Sequence, residues 1–99
     1  MSVYLIAQID IRDRAGYAHY EAGFMDIFAD YGGRLLSVDE SPACLEGSWE
    51  FTRTVLAEFP SAEEARRWYF SDAYQELAGH RFAASRANLV MIKGMGDGP

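Results

Sequence analysis

The sequence predicts an α+β fold of order strand, helix, strand, strand, helix, strand, with a four-stranded antiparallel sheet and its helices on one face. Three observations carry this expectation. Apolar and polar residues alternate over Val3–Ile11 with the period of a strand. An aromatic stripe at helical spacing follows and stops at Gly32-Gly33. A β-branched run and a second helical pattern then succeed each other across Pro60-Ser61.

In the first strand Val3, Leu5, Ala7, Ile9 and Ile11 make a wholly apolar face, which should meet the helices. Tyr4, Ile6, Gln8 and Asp10 make a mixed one. Asp13 is placed to cap a helix from Arg14 or Ala15 to Tyr31, with Tyr17, Tyr20, Phe24, Ile27, Phe28 and Tyr31 on one side. The glycine pair supplies the positive φ that ends it. Arg34–Asp39 reads as the second strand, with Leu36 and Val38 opposite Leu35 and Ser37. Pro42 and Gly47 argue for turns over Glu40–Glu50. Thr52–Phe59 reads as the third strand, with Val55, Ala57 and Phe59 on one face and Thr54, Leu56 and Glu58 on the other.

Ser61-Ala62-Glu63-Glu64 has the form of a capping box, in which the serine oxygen accepts from the N3 amide and Glu64 reaches back. That helix should run to Tyr69 or Phe70. Ser71 or Asp72 recaps the chain for a further helix with Tyr74, Leu77, Ala78 and Phe82 on one stripe. Asn88–Lys93 closes the sheet. Right-handed crossovers make this order the ferredoxin-like βαββαβ arrangement. Residues 1–94 are expected to form one such domain and 95–99 a flexible tail. Helices on one side leave the other sheet face bare, and Tyr4 and Ile6 make it too apolar to stay wet. A second copy packed sheet against sheet is the simplest cover, giving a homodimer.

The 99 residues suffice for one domain, and 49% of them are hydrophobic, enough for a core. Fifteen acids against nine bases give a net charge of −6 and no basic run, which argues against nucleic acid and anionic membranes as partners. No apolar stretch approaches the roughly 20 residues of a membrane span. No basic start or small-residue cleavage pattern precedes the first strand, so a cytoplasmic location is expected. Cys44 is the one cysteine, which excludes an internal disulfide and a cysteine-rich metal site.

Arg81 stands out among the polar residues. It falls four residues after Leu77 and seven after Tyr74, inside the apolar stripe of the last helix. An arginine there is either paired, with Glu58 or Glu46 as partner, or reaches out of the core; its functional reading is anion recognition at a pocket. Tyr20, Phe24, Trp68 and Tyr74 read as core packing or as aromatic walls of that pocket. The candidate site is therefore Tyr20, Phe24, Glu58, Trp68, Tyr74 and Arg81, with no metal and no cofactor. His19 and His80 form no metal motif and read as solvated, and a haem ligated by one of them has no supporting pattern. Ser61 and Ser71 are explained by capping. Cys44 has no evident neighbouring base. Asp10 reads as a general acid or base or as a strand-end residue meeting water.

Glu58-Phe59-Pro60-Ser61, Ala65, Trp68-Tyr69, Ser71, Tyr74 and Arg81, with Gly32-Gly33-Arg34, Leu45-Glu46-Gly47, Trp49 and the early Tyr17 and Tyr20, resemble the domain-of-unknown-function-1330 family over Tyr4 to Gly94. The resemblance implies a dimeric α/β barrel, in which two ferredoxin-like protomers pack their sheets together. Its wider superfamily includes cofactor-free monooxygenases, muconolactone isomerase-like enzymes and haem-binding proteins, while the family itself has no settled activity. The sequence departs from the pattern in three places. Val38-Asp39-Glu40 stand where the family commonly has Arg-Gly-Gly, Phe51 replaces a usual proline, and Lys93 replaces an acid. Arg34, Arg53 and Arg81 are the basic groups left for an anionic ligand. Two functions follow as expectations: a small organic molecule, anionic or aromatic, bound or converted between helices and sheet with Glu58 as acid or base and Arg81 as anchor; or a non-enzymatic dimeric structural or regulatory module.

Overall fold

The computed structural model describes residues 1–95. The elements run β1 (Val3–Ile11), α1 (Arg14–Asp30), β2 (Arg34–Asp39), β3 (Arg53–Phe59), α2 (Ala62–Tyr69), α3 (Asp72–Ala84) and β4 (Ser85–Lys93). The strands form one antiparallel sheet in the order β2-β3-β1-β4, the ferredoxin-like topology. Within one chain the sheet is open, with β2 and β4 at its edges, and no barrel closes. Extents of 40 × 38 × 16 Å are those of two layers, one of sheet and one of helices. The expected tail falls mainly on residues 96–99, outside the described residues.

Local chemistry sets the helix ends. Asp13 Oδ1 accepts from the Gly16 amide at 3.1 Å and starts α1. Gly32 takes φ +79° and ends it. Gly33 is needed for another reason. A Cβ there would come within 2.6 Å of the Phe28 ring, which packs directly on its backbone. Ser61 Oγ accepts from the Glu64 amide and Ser71 Oγ from the Tyr74 amide, each at 3.1 Å. The capping box is only half formed, because the Glu64 carboxylate takes Arg67 one turn on at 3.0 Å.

The core lies between sheet and helices. Val3, Leu5 and Ile9 of β1 and Ala57 and Phe59 of β3 bury against Tyr17, Tyr20 and Phe28 of α1, Trp68 of α2 and Tyr74 of α3. Two expectations about the strands are corrected. β4 begins at Ser85, directly after α3, so that Ala87 joins the helix-facing side. β2 carries a register shift between Leu35 and Ser37. The extra residue puts Leu35 opposite Ala57 and Val38 opposite Val55, so both fall on the helix side, which strict alternation forbids.

The far face of the sheet is bare. Cross-strand partners share a face, so Ile6 sits between Leu56 and Val90, and Tyr4 between Glu58 and Ile92. Val90 and Ile92 are exposed. Toward the other end the same face turns polar, with Asn88 Nδ2 donating to Gln8 Oε1 at 3.3 Å and Asp10 near Arg12 and Arg86.

Candidate functional site

A cavity of about 220 Å³ opens between α1 and the sheet. The helical period of α1 turns Tyr17, Tyr20, Glu21, Phe24 and Phe28 onto it, and the two-residue period of the strands supplies Leu5, Ala7, Ile9, Arg53, Val55, Ala57, Ala87 and Leu89. Trp68, Tyr74 and Arg81 close the end formed by α2 and α3. Glu21 and Met25 line it and are exposed, so its mouth lies beside the middle of α1.

Arg81 is 7% exposed and is the one buried charged side chain among the described residues. Its guanidinium carbon lies 5.7 Å from the Tyr20 ring centre and 4.8 Å from that of Phe82, in cation–π range of both. Among the described residues no carboxylate lies within ion-pair distance of it. The Tyr20 and Tyr74 hydroxyls meet at 2.8 Å in a buried hydrogen bond beside it. Burial, and then the Tyr74 hydroxyl, push the Tyr20 phenol well above its usual pKa against the pull of Arg81, so it stays protonated. Trp68 stands 4.2 Å from Tyr74 between ring centres, and its buried indole N–H finds no acceptor.

The cavity's second guanidinium is in the opposite situation. Arg53 donates to Glu40 at 2.9 Å and to Glu21 at 3.1 Å, and lies over the Tyr17 ring at 5.5 Å. Arg14 adds a 3.1 Å bond to Glu40. Partial burial pulls the Glu40 pKa upward, but the bonds from Arg14 and Arg53 prevail and hold it below the usual range. Burial raises the Tyr17 pKa, with Arg53 opposing.

Five of the six residues singled out in the sequence, Tyr20, Phe24, Trp68, Tyr74 and Arg81, line this cavity. Glu58 is elsewhere. Its carboxylate accepts from Arg34 Nη2 at 2.7 Å, and it pairs with Tyr4 on the bare face of the sheet. The strand period excludes it from the cavity, since it is out of phase with Val55, Ala57 and Phe59. Of the other polar groups lining the cavity, sequence reasoning passed over Glu21, and it noted Arg53 as a remaining basic group and Tyr17 as an early tyrosine without assigning either to the candidate site. Arg53 had a signal, because position 53 is in phase with the apolar face of β3. The His19 and His80 rings lie 5.6 Å apart between centres, tilted by 33°, and do not line the cavity. Cys44 is exposed, with its thiol donating to the Glu46 and Gly47 carbonyls at 3.3 Å. Among the described residues no three His, Cys, Asp or Glu side chains gather to hold a metal ion, and no helix is long and apolar enough to cross a membrane.

No functionally curated protein matches the chain. Solved structures share the fold. A protein of unknown function from Rhodopseudomonas palustris superposes with a TM-score of 0.81 at 20% identity, covering 95% of this chain and 82% of that one. SnoaB, a cofactor-independent oxygenase from Streptomyces nogalater, gives 0.60 at 14% identity, covering 94% and 92%. A dimeric ferredoxin-like protein of unknown function from Jannaschia gives 0.65 at 11% identity, covering 95% and 100%. At such identities the likeness is one of fold. The sequence itself goes further: the model of the family described as Domain of unknown function (DUF1330) matches residues 2–95, and the chain belongs to that family.

Proposed function

We propose that the chain binds a small organic molecule of apolar, largely aromatic body in the cavity between α1 and the sheet, and holds it for recognition or for conversion without a metal. The observation that carries this reading is Arg81, a buried guanidinium with no carboxylate at ion-pair distance among the described residues, set in an aromatic cavity with space beside it. An ion of that kind is costly to keep unless something compensates it. The likeness to a cofactor-independent oxygenase fits the conversion reading. Of the polar groups lining the cavity, the hydrogen-bonded Tyr20–Tyr74 pair beside Arg81 is our candidate to relay a proton.

Thermal-shift measurement against a panel of one- and two-ring aromatic acids, alcohols and amides tests the reading. A ligand at a hundred times its Kd adds about 2.7 kcal/mol to folded stability. For a chain of this size that is a rise of roughly 10 °C or more. A panel with no stabilising member supports a second reading, the ligand-free module.

The bare face of the sheet favours that module as much as it favours an enzyme. Ile6, Leu56, Val90 and Ile92 form an apolar row that a second copy can cover, and a likeness to a dimeric protein supports the pairing. Sedimentation of the chain and of its Val90→Lys variant checks it: the former runs as a dimer and the latter as a monomer. A chain that is monomeric at micromolar concentration rules the pairing out.

A further inference from the structure

We propose that the cavity selects an aromatic monocarboxylate, its ring against Trp68 and Phe24 and its one negative charge on Arg81 and the Tyr20–Tyr74 pair. This deepens the reading above and rests on it.

Two counts lead to it, one of charge and one of hydrogen. The ion pairs at and beside the mouth are neutral in themselves: Arg14 and Arg53 are matched by Glu40 and Glu21, two of each sign, in a linear run Arg14–Glu40–Arg53–Glu21. Arg81 is left over, so the interior carries one uncompensated positive charge. One ligand anion neutralises it. A dianion brings a second charge into an apolar interior whose other guanidinium already has both terminal nitrogens on Glu21 and Glu40, leaving only its Nε unpaired, and a cation doubles the mismatch.

The hydrogen count gives the chemical form. Two hydroxyls that share one hydrogen bond consume one proton between them, so the pair always has a second O–H to donate. Arg81 offers only donors, and the Trp68 indole N–H in the same wall has no acceptor. That end of the cavity is therefore rich in donors and poor in acceptors. A carboxylate accepts at every position and donates at none. An amide of the same shape turns N–H groups toward N–H groups. The planar guanidinium also suits a planar two-oxygen group. Finally, about 220 Å³ lies below the roughly 300–1,000 Å³ of drug-sized pockets, which limits the body to one or two rings.

Calorimetric titration with cinnamate, cinnamamide and para-carboxycinnamate tests the inference. Cinnamate is expected to bind on the order of tenfold or more tighter than either of the others. Arg81→Met, checked for folding by circular dichroism, should level cinnamate with cinnamamide. Should that variant fail to fold, Arg81→Lys carries the test, retaining the preference for the acid over the amide while weakening cinnamate. Cinnamamide binding as tightly as cinnamate to the unaltered protein overturns the monoanion assignment and leaves the cavity reading standing. Equal binding of para-carboxycinnamate overturns the single-charge count. If none of the three binds, the assignment and the cavity reading fall together.

Discussion

Removing both hydroxyls of the Tyr20–Tyr74 pair should destabilise the protein by less than the sum of removing each alone. Both phenols are buried, and their hydroxyls meet at 2.8 Å. Tyr20→Phe loses a hydrogen bond worth about 1 kcal/mol net and strands the Tyr74 O–H in the core, bringing the total to about 2 kcal/mol. Tyr74→Phe does the same in mirror image. The double variant strands neither hydroxyl, and its cost stays near 2 kcal/mol instead of about 4. Arg81 keeps it from being neutral, since the buried guanidinium loses the favourable electrostatics of the two phenol groups beside it. The coupling is then about 2 kcal/mol, far outside the few tenths by which independent sites depart from additivity. Urea unfolding of the four proteins, with unchanged m, measures it. Each single variant should also melt roughly 8–16 °C lower. Single costs that add to within about 0.5 kcal/mol would refute the claim that the pair acts as one buried unit.

Two further outcomes follow from the packing and the charges. Gly33→Ala should cost more than Gly32→Ala, about 3 against about 1–2 kcal/mol, by chemical denaturation. At Gly32 the loss is backbone strain at φ +79°, whereas at Gly33 the new methyl strikes Phe28, whose ring is held by Phe24, Phe59 and Trp68 at 4.7–5.3 Å and cannot yield. The reverse order contradicts this packing. Alkaline pH should destabilise the fold through Tyr17 and Tyr20, whose pKa values burial raises. Their contribution is whole below the unfolded value near 10 and is lost as pH rises beyond it, because the unfolded chain ionises first. The loss per tyrosine is at most about 1.4 kcal/mol per pH unit, and runs only between the unfolded pKa and the raised folded one. Urea midpoints measured from about pH 9 to 11 should fall less steeply in Tyr20→Phe.

Much of this architecture could be read in the sequence, because each element carries its own period and its own stop. β1 and β2 have the bounds that alternation predicts, and Asp13, Ser61 and Ser71 cap the helices they precede. Five of the six candidate residues line one cavity, because helical spacing puts them on one side of their helices. What was not legible depends on pairing between distant segments. The bulge at Leu36 exists only against β3, and nothing local in Arg34–Asp39 announces it. The partner of a charge is likewise a tertiary fact. Glu58 meets Arg34, and Arg53 finds Glu21 and Glu40 from two other segments. Strand parity nevertheless contained both answers, placing Glu58 on the bare face and Arg53 on the cavity face.

The central claim is that the cavity beside Arg81 takes a ligand. The chain has two tryptophans, one on each side of that claim. Trp68 walls the cavity with its indole N–H unpaired, whereas Trp49 donates its own to Thr54 Oγ1 at 2.8 Å and does not line the cavity. Heteronuclear NMR of the two indole N–H groups during titration with cinnamate reads both at once. The Trp68 resonance should move to saturation while that of Trp49 holds still. A Trp68 resonance that stays fixed at high cinnamate, or a shift confined to Trp49, would contradict the account.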